Sequence, residues 1–330
     1  MPPWSVLAAP ILGFLLSLGG TWLVLGWLRR RAILDLPNER SSHTIPTPRG
    51  GGVGLLAGLI PAWLLLFPLV EADDRAAFLA VAAGALILAV ISFLDDRRGL
   101  PPLPRFAGQI LIVAAVLSLT PADHLAFQGL LPLWLDRLAT GFAWLWFVNL
   151  FNFMDGIDGI AGVESASVGI GLALVAWLSG PYLGVGLGLA VAGAALGFLA
   201  WNWSPAKLFM GDVGSVPLGL MIGWLLILAA FEGAWAAAVI LPLYYWADAT
   251  ITLLRRAAKG EKVWRAHRSH FYQRATQTGS SHAEVSTAVL THNLGLIAIC
   301  AFIGLDHPWI GILAAGLLTA SLLRRFAQKG

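Results

Sequence analysis

Polar residues in this chain interrupt long apolar runs, and the runs are too uniformly apolar for the one-sided stripe of a water-soluble helix. Apolar stretches at about 5–28, 52–70, 76–94, 106–120, 140–154, 160–178, 182–201, 214–231, 234–254, 286–304 and 308–323 predict eleven transmembrane helices, because roughly 20 apolar residues cross about 30 Å of hydrocarbon. The pattern predicts an all-α, polytopic helix bundle in which residues 1–330 form one membrane domain. No cation precedes the first run, and Arg29-Arg30-Arg31 follows it, the reverse of a signal peptide's charge order. That run is expected to stay as a first helix.

Charge supplies the orientation. With eleven spans, all but two of the 21 Lys and Arg residues fall on one set of alternate connections, the exceptions being Arg75 and Arg137. Cationic loops resist translocation, so this set is cytoplasmic, with the N-terminus outside and the C-terminus inside. A missed span would scramble the asymmetry, so the count also supports the segmentation. The long polar loops at about 29–51 and 255–285 are cytoplasmic too, and function is expected there.

Composition agrees: 58% of residues are hydrophobic, 12% are charged and the mean hydropathy is +0.77. A net charge of +3 then reads as an orientation signal, and no nucleic-acid partner is expected. Cys300 lies in an apolar run and reads as a small packed hydrophobe. Trp134, Trp144, Trp235 and Trp309 are read as interfacial anchors, and Gly184, Gly186, Gly188 and Gly193 as close-packing positions between helices.

Five polar clusters mark the inner ends of spans. Ser41-Ser42-His43 precedes Pro46-Thr47-Pro48-Arg49-Gly50-Gly51-Gly52, where glycines ahead of a helix leave N–H groups open to phosphate and Arg49 adds a bidentate donor. Ordinary loop chemistry explains that stretch about as well. Asp95-Asp96 closes the third span, and such a pair repels unless a cation or proton lies nearby; Mg²⁺ with a phosphate substrate supplies one. Asn149, Asn152, Asp155 and Asp158 recur every three residues at the end of the fifth span. Ala166 at position twelve from Asp155 excludes an EF-hand loop, and carboxylates so near hydrocarbon point to function. Asn202, Lys207 and Phe209 lead to Gly211-Asp212-Val213-Gly214, where a metal or phosphate can approach Asp212 and Phe209 offers a face to a base. In the last cluster, His267 and His270 lack a third zinc ligand, and the interleaved Arg265, Arg268 and Arg274 favour a phosphate or pyrophosphate. Together these describe phosphoryl transfer at a membrane face, with a lipid-borne phosphate as acceptor.

In order, and along nearly the whole chain, the clusters resemble those of the polyprenyl-phosphate N-acetylhexosamine-1-phosphate transferases, the glycosyltransferase family 4 group that includes MraY and WecA. The resemblance implies transfer of a sugar-1-phosphate from a UDP-N-acetylhexosamine to undecaprenyl phosphate, with release of UMP and Mg²⁺ as cofactor, Mn²⁺ being the alternative ion. It makes Asp212, with Asp155, the metal ligands, and Asp95, with Asp96 beside it, the base or orienter of the lipid phosphate. Asn152, Asp155 and Asp158 organise metal and nucleotide, and Asn149, Asn202 and Phe209 lie on the substrate side. His267, Arg268 and His270 address sugar and diphosphate, with His267 counted beside the four aspartates Asp95, Asp96, Asp155 and Asp158 as catalytic. Ser42, His43, Arg49, Arg105 and Lys207 are further substrate-binding candidates. The implied setting is the bacterial inner membrane with the site facing the cytoplasm, and dimers among relatives make a homodimer an expectation.

The fifth cluster departs from the pattern, reading His267-Arg268-Ser269-His270-Phe271 where MraY-like chains carry His-His-His-x-Glu. With Ser41-Ser42-His43 and Pro46-Thr47-Pro48-Arg49 it is most similar to the branch that initiates lipopolysaccharide O-antigen. That argues against an MraY-like peptidoglycan-precursor substrate and leaves GlcNAc, QuiNAc or FucNAc. The rival from another class, an ion-coupled transporter, is expected to hold its carboxylates near the midplane rather than at span ends. Glu164 and Asp248 stand inside spans with no role assigned.

Overall fold

A computed structural model describes residues 2–37, 42, 45–99, 101–263 and 267–328. Helix α1 (Trp4–Arg30) leads through a short antiparallel ribbon, Leu34–Asp35 against Thr47–Pro48, into α2 (Gly52–Leu64). Then follow α3 (Arg75–Arg98), α4 (Pro102–Leu119), α5 (Leu133–Met154), α6 (Ile160–Ser179), α7 (Tyr182–Asn202) and α8 (Asp212–Phe231). The chain ends with α9 (Trp235–Ile240), α10 (Leu243–Ala258), α11 (Phe271–Gln277), α12 (His282–Ile299) and α13 (Pro308–Gln328).

Among the described residues, nine helical segments are long and apolar enough to cross a membrane, against the eleven expected. The other two runs are built differently. In α5, Arg137, Asn149, Asn152 and several tryptophans dilute the hydropathy, and the ninth run is broken between α9 and α10 at Leu241-Pro242. Each still joins the same two ends of the bundle. At one end of α5, Arg137 donates to the Thr120 and Pro121 carbonyls after α4; at its other end, Asn149 donates to Gln109 near the start of α4. Helix α9 begins where Trp235 packs on Trp309, ring centroids 5.2 Å apart, and α10 carries the chain to the end where Tyr272 donates to the Phe153 carbonyl.

Small residues bring helices close, as expected in lipid: Gly58 meets Gly13 and Ser17, and Gly193 meets Pro10. Trp134 and Trp309 are exposed as anchors should be, but Trp144 is buried. Its ring stacks on Trp224, and its N–H donates to the Leu220 carbonyl at 2.9 Å, because it lies on the face of α5 turned to α8. The reading of Trp144 as an interfacial residue is corrected accordingly. Cys300 is buried and free.

Candidate active site

Glycines at two helix starts build the frame of the site. The Gly50 and Gly51 N–H groups donate to the Phe209 carbonyl (3.1 and 2.8 Å), and the Gly52 N–H donates to Met210 (2.9 Å). The Phe209 N–H returns a bond to Pro48 (2.8 Å), so the chain ahead of α2 is laced to the chain ahead of α8. Gly211 adopts φ +73°, and a Cβ there would stand 2.9 Å from Asp96 Oδ2. This left-handed turn, which suits glycine, starts α8 at Asp212 and leaves its carboxylate at the positive end of the helix.

Two arginines join the aspartates into a ring. Nη2 of Arg49 lies 2.9 Å from both Asp96 Oδ1 and Asp212 Oδ1. Arg105 pairs with Asp95 and, at 3.2 Å, with the other oxygen of Asp212. Asp96 Oδ2 also accepts the Val213 N–H at 3.2 Å. Burial alone would lower the Arg49 pKa, but Asp96, Asp212 and Asp35 outweigh it and hold the guanidinium above its ordinary value. Asp155 lies beside the ring, its carboxylate without a hydrogen bond or ion pair among the described residues. Burial pushes Asp155 up to about 7; Arg49 opposes this, and Asp212 and Asp96 reinforce it.

Three carboxylates against two guanidiniums leave the ring net negative, and ionised Asp155 adds to that. Such a site repels anionic phosphates unless a further cation is present. The atoms it could offer a metal are hard carboxylate oxygens, which suits Mg²⁺ rather than zinc. No group of three acidic, histidine or cysteine side chains forms a ready cage among the described residues. Mg²⁺ needs none, since it is held by one or two carboxylates together with substrate phosphates and water.

The remaining aspartate and asparagines hold the loops that deliver this ring. Asp158 Oδ2 accepts the Ala206 N–H at 3.1 Å, and Oδ1 faces His282 Nδ1 at 3.2 Å. Burial would raise its pKa, but His282, Ala206 and Ser204 together bring it below the usual carboxylate value. With both oxygens engaged, Asp158 acts through the segments it joins. Asn202 is buried and clamps the same region, accepting from Gly159 N–H (3.0 Å) and donating to the Leu208 carbonyl (3.0 Å). Asn152 donates to Ser215 at 2.8 Å, and Asn149 to Gln109 at 2.8 Å. Phe209 forms the bridge to Arg49, while exposed Lys207 rests its ammonium 4.9 Å from the Trp201 ring centroid.

The histidine loop is anchored by the carboxylate that had no role. Asp248 accepts the N–H groups of Phe271 (3.0 Å) and Tyr272 (3.2 Å) and the Tyr244 hydroxyl (3.1 Å), and faces His270 Nδ1 at 3.2 Å. It caps α11 from another helix, so His270, also buried, is a tether of the loop. His267 stays half-exposed beside it, and burial, then His270 and Arg256, lowers its pKa to about 4. At neutral pH it therefore offers a neutral imidazole. Arg268 is exposed, its carbonyl accepting from Gln277. Ser42 places its carbonyl 3.1 Å from His282 Nε2; His43, like Ser41 and Arg265, lies outside the described residues. Sequence reasoning passed over Gln109, Tyr272 and His282. The only local sign of His282 is the Ser281 to Glu284 capping box around it.

The Glycosyl transferase family 4 model matches residues 78–230, which include Asp95, Asp96, Arg105, Asp155 and Asp212. A decaprenyl-phosphate N-acetylglucosaminephosphotransferase of Mycolicibacterium smegmatis is 30% identical over 343 residues, covering 90% of this chain and 78% of that protein. A Bacillus subtilis protein named as a probable undecaprenyl-phosphate N-acetylglucosaminyl 1-phosphate transferase is 28% identical, covering 82% and 78%. A phospho-N-acetylmuramoyl-pentapeptide-transferase of Geobacillus kaustophilus is 29% identical, covering 70% and 78%.

Proposed function

The chain belongs to the polyprenyl-phosphate N-acetylhexosamine-1-phosphate transferases of glycosyl transferase family 4, and from that premise we propose that it moves an N-acetylhexosamine 1-phosphate from a UDP-sugar to undecaprenyl phosphate at the cytoplasmic face of a bacterial inner membrane. Membership makes it a multi-pass membrane enzyme that places a sugar phosphate on a polyprenyl phosphate; an ion-coupled transporter is set aside. The observation that carries the finer reading is the Arg49–Asp212–Arg105 bridge closed by Asp95 and Asp96 at helix ends.

A lipid phosphate oxygen attacks the β-phosphorus of the nucleotide sugar in line. The new P–O bond forms as the α–β bridging bond breaks, and UMP leaves with that bond's electron pair. The obstacle is repulsion between two phosphate groups. Arg49 and Arg105, already charged and held in place, turn toward those phosphates. Asp95 orients the lipid phosphate through Arg105, which it holds between them; that phosphate is largely ionised near neutral pH and needs no strong base. Mg²⁺ held by Asp212 and Asp155 would supply further charge stabilisation at the diphosphate.

The sugar is an N-acetylhexosamine without a peptide. The two N-acetylglucosamine relatives align over more of this chain than the muramoyl-pentapeptide one does, which puts UDP-GlcNAc first and the QuiNAc and FucNAc donors next. Initiation of O-antigen is the pathway that the His267 to His270 stretch favours. Purified protein with undecaprenyl phosphate, Mg²⁺ and each UDP-sugar in turn should release UMP from one of these three and not from UDP-MurNAc-pentapeptide. No UMP from any UDP-N-acetylhexosamine refutes the donor reading.

A second prediction follows from Asp155. With its pKa near 7, the protonated form predominates at pH 6, and a proton competes with the cation for the same oxygens. Apparent Mg²⁺ affinity should fall about tenfold between pH 8 and pH 6, and calorimetry in buffers of different ionisation enthalpy should show proton release on binding near pH 6. Affinity independent of pH would remove Asp155 from the ligand set.

A further inference from the structure

His282 touches none of the ring residues, yet it connects three separate parts of the chain. Its Nε2 stands 3.1 Å from the Ser42 carbonyl oxygen, and its Nδ1 stands 3.2 Å from Asp158 Oδ1 and 3.3 Å from the Asp158 backbone nitrogen. It is the first residue of α12, whose start is fixed by reciprocal bonds between Ser281 and Glu284. One turn on, the Ser286 hydroxyl donates to the Asp158 carbonyl at 2.8 Å. The first turn of α12 therefore grips Asp158 with two side chains and reaches Ser42 with one of them.

The chemistry of the ring makes this a lasting link. A carbonyl can only accept, so Nε2 carries a hydrogen. Nδ1 then accepts the Asp158 N–H when the imidazole is neutral, or donates to the carboxylate when it is protonated. Either way both nitrogens keep a partner. Seven residues after Ser42 comes Arg49, whose guanidinium meets Asp96 and Asp212. Asp158 in turn holds Ala206, in the loop that leads to Asp212. His282 stands where the two segments carrying the halves of the Arg49–Asp212 pair are tied to each other.

We propose that His282 is a positioning residue of the transfer reaction, tying Ser42 to Asp158 so that Arg49 and Asp212 are delivered to the site in register. Displacements of about 1 Å at reacting groups cost up to about 100-fold in rate, so the loss from freeing this tie should appear in kcat. The activity arm of the test rests on the UDP-sugar reading; the exchange arm does not.

His282→Ala should lower kcat about tenfold or more, with KM for both substrates within about twofold. Two conservative variants separate the links. The amide of His282→Gln reaches the place of Nε2 and keeps Ser42, whereas that of His282→Asn reaches the place of Nδ1 and keeps Asp158. If the tie to Ser42 matters, Gln recovers most of kcat and Asn does not. Hydrogen exchange on the substrate-free protein should show the Gly50–Gly52 amides, bonded to Phe209 and Met210, exchanging several-fold faster in His282→Ala, with recovery in His282→Gln. Wild-type kcat in His282→Ala, or a loss in all three variants that only follows a lowered Tm, overturns the proposal. If the wild type accepts no UDP-sugar, the donor reading fails, and unchanged exchange at Gly50–Gly52 is then the result that overturns the role of His282.

Discussion

Asp212→Asn should abolish sugar-phosphate transfer, with kcat falling roughly 1,000-fold or more, while the protein stays folded. The substitution keeps the shape of the side chain while removing its charge and one acceptor oxygen. That charge sits between two guanidiniums, with Arg49 on one oxygen and Arg105 on the other. An asparagine offers one acceptor oxygen and turns an NH₂ group toward the second arginine, donor against donor. Only one of the two arginines then keeps a partner at residue 212, and the other is left with its second aspartate alone, so the bridge between the two halves of the ring is cut. The site also loses one negative charge and a metal-ligating oxygen, so Mg²⁺ affinity measured by calorimetry should fall at least tenfold. Activity within tenfold of wild type would show that Asp212 is a structural counter-ion to the arginines and nothing more.

Asp212 also shows what spacing along a chain reveals. Carboxylates interrupting apolar runs are costly, so Asp95, Asp96, Asp155 and Asp212 were visible as chemistry, and charge asymmetry placed them on one side. Their partners were not visible. Arg49 and Asp212 lie 163 positions apart, and no local periodicity encodes which cation meets which carboxylate. Arg49 and Arg105 were therefore read as phosphate ligands alone, whereas in the fold they pair with aspartates. The same blindness hid the division among the acidic residues. Asp158 and Asp155 look alike in sequence, but one has both oxygens facing Ala206 and His282, and the other has no such partner among the described residues. Asp248, a costly carboxylate inside a span with no role assigned from the sequence, proves to be the cap of α11. Trp144 failed for a simpler reason: which face of a helix turns inward depends on a neighbour, α8, that only the fold supplies.

The contact between α2 and α8 leaves no room for a side chain, and Gly52→Ala should lower kcat by about 100-fold or more. A Cβ at Gly52 would lie 2.1 Å from Gly214 Cα and 2.4 Å from its nitrogen. Both are backbone atoms, so no rotamer change relieves the clash. Carbon atoms rest at about 3.5–4.0 Å, and the two helix starts must separate by roughly 1.5 Å. Arg49 is carried on the chain just before α2 and Asp212 is the first residue of α8, so this separation is applied directly to their ion pair. Overpacking of this kind costs about 1–3 kcal/mol, which should lower Tm in detergent by a few degrees while most of the protein remains folded. Gly26→Ala supplies the control, because a Cβ there meets nothing within 4 Å; it should leave both kcat and Tm at wild-type values. Combining Gly52→Ala with Asp212→Asn should add little to the loss from Asp212→Asn alone, since the pair that the glycine contact aligns is already broken. Full additivity in that double variant would mean that the glycine contact serves some other part of the enzyme.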